Sequence, residues 1–178
     1  MITLKKTLTD IKNDLPSNGA FLKIFLKNYF YSPAFRVLLN HRIGKYFYFS
    51  SFFLFRQIGL YYKVKLITRR NCDISYKSQI GAHVNFPHPL GIVIGDGVVI
   101  KDNVKIWQQV TLGSHGRNAE TLSYPVIETN VKIFTGAKII GNVSIGANAV
   151  IGANAVVNIS VPADSVAVGI PCKIINKK

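Results

Sequence analysis

From residue 127 to residue 157 a branched apolar side chain returns at every sixth position, at Ile127, Ile133, Ile139, Ile145, Ile151 and Val157. An amphipathic helix would bring its apolar face round every three to four residues and a half-buried strand every two, so a strict six belongs to neither. Small or amide residues stand between them, Gly141, Gly146, Gly152, Asn148 and Asn154 among them. That pattern suits a short extended segment, one inward side chain and a tight turn that admits positive φ. Stacked segments of this kind make a β-helix of hexapeptides.

The same step is present upstream at Ile74, Ile80 and Phe86, and again at Ile94, Ile100, Ile106 and Leu112. It is interrupted twice, by residues 87–91 and between Gly113 and Val126. Insertions in a solenoid fall in loops and often build its binding site, so the chemistry is expected there. With three six-residue faces to a coil, residues one coil apart should stand about eighteen apart. The chain thus reads as mainly β, a parallel β-helix over residues 73–178 behind a short α-helical region over residues 1–72.

The front is of different composition. Residues 1–72 hold thirteen Lys or Arg against Asp10 and Asp14, while residues 73–178 hold nine against six acids, so most of the net charge of +14 lies in the front. Fifteen of the twenty aromatic residues fall between Phe21 and Tyr62. Phe21, Phe25 and Tyr29 mark an amphipathic helix, Ser32 and Pro33 read as N-cap and first residue of a second, and a third is expected from Phe52 to about Leu66. These aromatics are expected to cap the open end of the β-helix, and the cations to allow peripheral contact with an anionic membrane. The longest uncharged run of this front, Tyr46 to Phe55, is half a span, so no transmembrane helix is expected there. No nucleic-acid motif accompanies the charge. The N-terminus lacks the apolar stretch of a signal peptide, and Cys72 and Cys172 have no metal-ligand spacing, so a cytoplasmic protein with reduced thiols is expected.

The runs GIVIGDGVVIKDNVKIWQQVTLG, GAKIIGNVSIGANAVIGANAVV and VPADSVAVGIPCKII resemble the left-handed β-helix acyltransferases, in particular the serine acetyltransferases and the polysaccharide O-acetyltransferases. The resemblance implies a left-handed coil, a homotrimer and acetyl-CoA as acyl donor. His88, in PHPLG, matches the catalytic base of a DHATG-like motif, and Asp73, fifteen residues earlier, matches the acid that pairs with it. Gly113 and Ser114 begin the counterpart of a glycine-rich loop. With Arg117, Ala137, Lys138 and Lys173 they are expected on the CoA side, Gly113 offering its N–H to the developing oxyanion.

Pro87, Ser123 and Tyr124 stand where serine acetyltransferases carry an Asp and an Arg-His pair, so the charges that hold a free amino acid are missing. A glycan hydroxyl is therefore the expected acceptor, beside Pro87, Trp107, Gln108 and Tyr124, with Phe134 as a further stacking face. Serine itself, and a non-catalytic scaffold, are the alternatives. His83 and His88 have the five-residue spacing of β-helix zinc enzymes, yet neither His41 nor His115 stands where the third ligand would. No metal is expected, and His41 and His83 are read as turn or surface residues.

Overall fold

The computed structural model describes residues 2–116 and 123–176. Three parallel sheets wind round one core. The first face holds β1 (Cys72–Ile74), β3 (Ile92–Ile94), β6 (Thr111–Gly113), β9 (Lys138–Ile140) and β12 (Val156–Val157). The second holds β2 (Gln79–Ile80), β4 (Val99–Ile100), β7 (Val126–Ile127) and β10 (Ser144–Ile145). The third holds β5 (Lys105–Ile106), β8 (Lys132–Ile133), β11 (Val150–Ile151), β13 (Ser165–Val168) and, antiparallel at its end, β14 (Lys173–Asn176).

Every residue of the six-step points inward: Ile74, Phe86, Ile94, Ile100, Ile106, Leu112, Ile127, Ile133, Ile139, Ile145, Ile151 and Val157 are buried, as is Ile80. The eighteen-residue coil is present where the repeat is clean, with Ile94 beside Leu112, Ile133 beside Ile151 and Ile139 beside Val157. At the first interruption the coil is longer, and Ile74 pairs with Ile94, two residues beyond eighteen. One edge turns through left-handed backbone at His83, Asn103, Asn130, Asn148 and Asp164. There Asn130 Nδ2 donates to Asn148 Oδ1 (3.1 Å) and Asn148 Nδ2 to Asp164 Oδ1 (3.0 Å). His83 is thus the turn residue expected.

Four helices precede the coil: α1 (Leu4–Asn13), α2 (Phe21–Tyr31), α3 (Pro33–Tyr48) and α4 (Phe53–Arg70). Ser32 caps α3 as expected, its Oγ accepting from Phe35 N–H at 3.2 Å, with Pro33 in the first turn. The last helix runs one turn past the expected end and stops at Asn71, whose left-handed conformation (φ 53°) ends it. Val37, Leu38 and Leu66 join the same core as Cys72 and Ile74, so α3 and α4 close the first coil. The cap on the coil is thus aliphatic rather than aromatic: Phe35 is buried in a separate cluster with Ile11, Leu15 and Leu39, α2 buries no residue fully, and Phe30, Tyr31, Phe52 and Phe53 are exposed. No helix among the described residues is long and apolar enough to cross a membrane.

Three polar residues of α3 bind it to the coil, Lys45 among them through its Nζ, which donates to the Ser78 carbonyl at 2.6 Å. Arg42, 6 % exposed, pairs with Asp14 (3.1 Å) and donates to the carbonyls of Ile80 (2.8 Å) and Gly81 (2.7 Å). His41, expected at the surface, is instead fully buried at this junction, because α3 turns it toward the first coil. Its Nε2 lies 3.1 Å from the Ser75 carbonyl oxygen, which can only accept, so the proton sits on Nε2. Burial, ahead of the charges of Arg42, Lys45 and Lys63, lowers its pKa to about 3 against the favourable Ser75 contact.

That shift has a sign. The unfolded chain protonates this histidine near 6.5 and the folded one near 3, so its contribution is intact above 6.5 and is withdrawn as pH falls to about 3. At about 1.4 kcal/mol per pH unit the loss reaches about 4 kcal/mol at the acid end. Urea unfolding between pH 7 and 4 should show a flatter stability profile in His41→Gln than in the wild type. Parallel profiles would remove His41 as the cause.

Candidate active site

The first interruption forms the tip of the edge that leads from the third face to the first. Two prolines flank His88, and Leu90 N–H donates back to the His88 carbonyl at 2.8 Å. The turn is tied to its neighbours by Gly91 N–H to Asn71 O (2.7 Å), Gln109 N–H to Leu90 O (2.8 Å) and Cys72 Sγ to Pro89 O (3.2 Å). Such a turn holds the backbone of His88 still while its side chain stays exposed. The imidazole makes no hydrogen bond with a described residue. It lines a cleft of about 270 Å³ with Pro33, Arg36, Arg69, Arg70 and half-buried Pro87.

Asp73 is not its partner here. The expectation took fifteen residues as one coil, whereas the coil at this level puts Asp73 beside Val93. Strand alternation turns its carboxylate outward between buried Cys72 and Ile74, where Lys63 of α4 takes it at 2.6 Å. It lines a separate cleft with Lys77, Asp96 and Tyr48, and no residue is common to the two. Within that second cleft Asp96 accepts from Ser75 (2.6 Å) and pairs with Lys77 (3.0 Å), contacts that lower its pKa. The sequence offered no signal for Lys63, since the contact depends on how α4 docks.

Along the edge below His88 stand Trp107, Gln108 and Lys138. Trp107 stacks on Phe134, one coil on, at 4.6 Å between centroids and 27° between planes, so the two aromatic faces are spent largely on each other. Gln108 Oε1 is buried without a partner. Lys138 Nζ donates to the Gln109 carbonyl. Ala137 offers a ligand nothing: its methyl is fully buried in the coil and its carbonyl accepts from Thr111 N–H (3.0 Å), which corrects its placement on the CoA side.

The second interruption leaves from the opposite margin of the first face. Gly113 ends β6, and its carbonyl accepts from Gly141 N–H at 2.8 Å. A Cβ there would meet only Ile140 Cδ1, at 3.8 Å, so nothing in the chain's own packing requires glycine and open space lies before it. Ser114 Oγ accepts from Gly116 N–H (3.3 Å). Tyr124 does not present the free stacking face expected of it, for its ring lies on Gly95 and Gly97 and packs against the core. Arg117 lies outside the described residues. Lys173, on β14, stands five strand spacings along the third face from Asn85, roughly 24 Å at the usual step between strands.

His83 and His88 fall on different edges and line different clefts, and among the described residues no three His, Cys, Asp or Glu converge as metal ligands. Arg36, Arg69 and Arg70 are the residues of the His88 cleft that sequence reasoning passed over. They lie in helices far upstream of both interruptions, and no short motif connects them.

Comparison with known proteins agrees with this architecture. Residues 124–158 match the family described as bacterial transferase hexapeptide (six repeats). The serine acetyltransferase of Buchnera aphidicola subsp. Acyrthosiphon pisum is 36% identical over 168 residues, which is 94% of this chain and 60% of that protein. The chain thus spans three-fifths of that relative's length. Among solved structures, serine acetyltransferase from Brucella abortus strain S19 superposes with a TM-score of 0.79 at 28% identity, covering 97% of this chain and 68% of that one. A serine acetyltransferase in complex with CoA superposes with a TM-score of 0.76 at 31% identity, over 95% and 68% of the two chains.

Proposed function

We propose, for a chain that belongs to the hexapeptide-repeat, left-handed β-helix acyltransferases and has serine acetyltransferases as relatives, that it transfers an acetyl group from acetyl-CoA to the hydroxyl of serine. The glycan acceptor expected from Pro87, Ser123 and Tyr124 is corrected by those relatives, which are serine acetyltransferases at 34–36% identity over most of this chain. Its weakness was local. It weighed only the residues beside His88 and in the loop, and took no account of charges that the helices bring to the same cleft.

The observation that carries the chemistry is the His88 turn, an exposed imidazole on a backbone held by four hydrogen bonds. In the reaction the imidazole takes the proton of the acceptor hydroxyl as its oxygen attacks the thioester carbonyl carbon. The tetrahedral intermediate then expels the thiolate, the C–S bond breaks, and the imidazolium returns its proton to sulfur, leaving an O-acetyl ester and CoA. Donors near Gly113 would stabilise the oxyanion. Lys138 and Lys173 lie on the coil side of His88, where the pantetheine arm and phosphates of the donor would run.

His88 and Gly113 stand at opposite margins of one face, so a site that uses both draws its edges from neighbouring copies. This favours a homotrimer. Purified protein should release free thiol from acetyl-CoA when L-serine is added, and sediment as a trimer. Thiol release unchanged by serine would overturn the acceptor, and a monomer would overturn the shared site.

A further inference from the structure

The cleft at His88 is walled by cations that no described acidic residue neutralises. Arg36 comes from the first turns of α3, and Arg69 and Arg70 from the last turn of α4. None of the three makes an ion pair or side-chain hydrogen bond with a described residue. Arg36 Nε and Arg70 Nε are nevertheless buried and unpartnered. Both residues are otherwise only half-buried and line the cleft, so their guanidinium groups are open to a ligand while one donor of each is left unsatisfied, which calls for a reason. Burial, then the neighbouring charges of Arg36 and Arg69, lowers the pKa of Arg70. Among the described residues no acidic side chain lines the cleft, and the first turn of α3, whose positive end begins at Pro33, carries none.

We propose that Arg36 and Arg70, with Arg69 at the mouth, form the subsite that holds the carboxylate of the acceptor while its hydroxyl faces His88. The inference rests on the serine reading and supplies what that reading lacked, since Ser123 and Tyr124 leave the loop without its carboxylate-binding pair. Guanidinium groups suit the task because they meet a carboxylate with two parallel N–H bonds. A phosphate of CoA would suit them as well in charge. However, α3 and α4 close the first coil, on the far side of His88 from the wall of later coils along which the donor would extend.

The full-length chain tests this through Arg36→Gln, Arg70→Gln and the double variant, assayed with L-serine and with L-serinamide, whose carboxylate is replaced by a neutral amide. The wild type should prefer serine about 10- to 100-fold in kcat/KM. The double variant should raise the KM for serine by a similar factor, erase the preference, and leave the KM for acetyl-CoA within about twofold. A preference that survives in the double variant overturns the subsite, and a raised KM for acetyl-CoA assigns the arginines to the donor's phosphates instead.

If the wild type turns over neither compound, the serine reading fails and the subsite is judged by binding alone. Malonate at constant ionic strength should then raise the unfolding temperature of the wild type and not of the double variant, and equal behaviour of the two overturns it. Without anion, the Gln variants should unfold at the wild-type temperature or above, since they remove unpaired like charges. Unfolding at a lower temperature would make the arginines structural and overturn the proposal.

Discussion

His88→Ala should lower kcat for serine acetylation about 10²- to 10⁴-fold, the range expected when a positioned general base is removed, while leaving the KM for acetyl-CoA near its wild-type value. The turn explains why the loss would fall on chemistry. Its backbone is fixed by bonds through Pro89, Leu90 and Gly91, so alanine removes the imidazole without releasing the edge. The side chain is exposed and hydrogen-bonds to no described residue, so its removal leaves no cavity in the core. Steady-state kinetics with thermal unfolding as a control checks both halves, and a kcat within threefold of wild type would move the base elsewhere. The same assay on Asp73→Asn asks whether Asp73 orients His88. With its carboxylate on Lys63 and a coil register that stacks it on Val93, the variant should lose less than about tenfold. A loss comparable to that of His88→Ala would restore the pair.

The largest effect on stability should come from Arg42→Ala, at about 3–5 kcal/mol. Arg42 is the only hydrogen-bond partner of the fully buried Asp14 side chain among the described residues, and it also donates to the carbonyls of Ile80 and Gly81 at the first edge of the coil. Burial already raises the pKa of Asp14 against the pull of Arg42, and without the arginine the main counterweight to that burial would be gone. For a chain of this length the midpoint should fall by roughly 10 °C. Replacing both members, Arg42→Met with Asp14→Leu, should recover much of the loss, because an apolar pair of similar volume avoids stranding a charge. A double variant as unstable as Arg42→Ala would mean that the two carbonyl contacts, not the ion pair, carry the effect.

The β-helix was legible from side-chain spacing because each coil buries one branched residue per face, and a rule repeated that often leaves its period in the sequence. The same holds for Ser32 and Pro33 at the start of α3, where capping is a contact between residues three apart. The interruption that holds His88 was legible for a related reason, since its turn breaks the period, while the role of His88 as base came from the family resemblance alone. Asp73 was misplaced because a two-residue excess in the first coil, invisible without the register, shifts its neighbour from the His88 turn to Val93. Tyr124 and Ala137 were misplaced because exposure, not identity, decides whether a side chain meets a ligand, and both are spent on packing.

What the sequence determined by itself was therefore everything set by local period: the three-faced coil, its two interruptions and the histidine at one of them. What only the tertiary structure decided was which distant side chains share a space. The docking of α3 and α4 on the first coil buries His41 and Arg42, takes Asp73 with Lys63, and sets Arg36 and Arg70 beside His88. Those contacts join residues ten to fifty positions apart through packing of whole helices, a geometry that leaves no repeat or short motif behind.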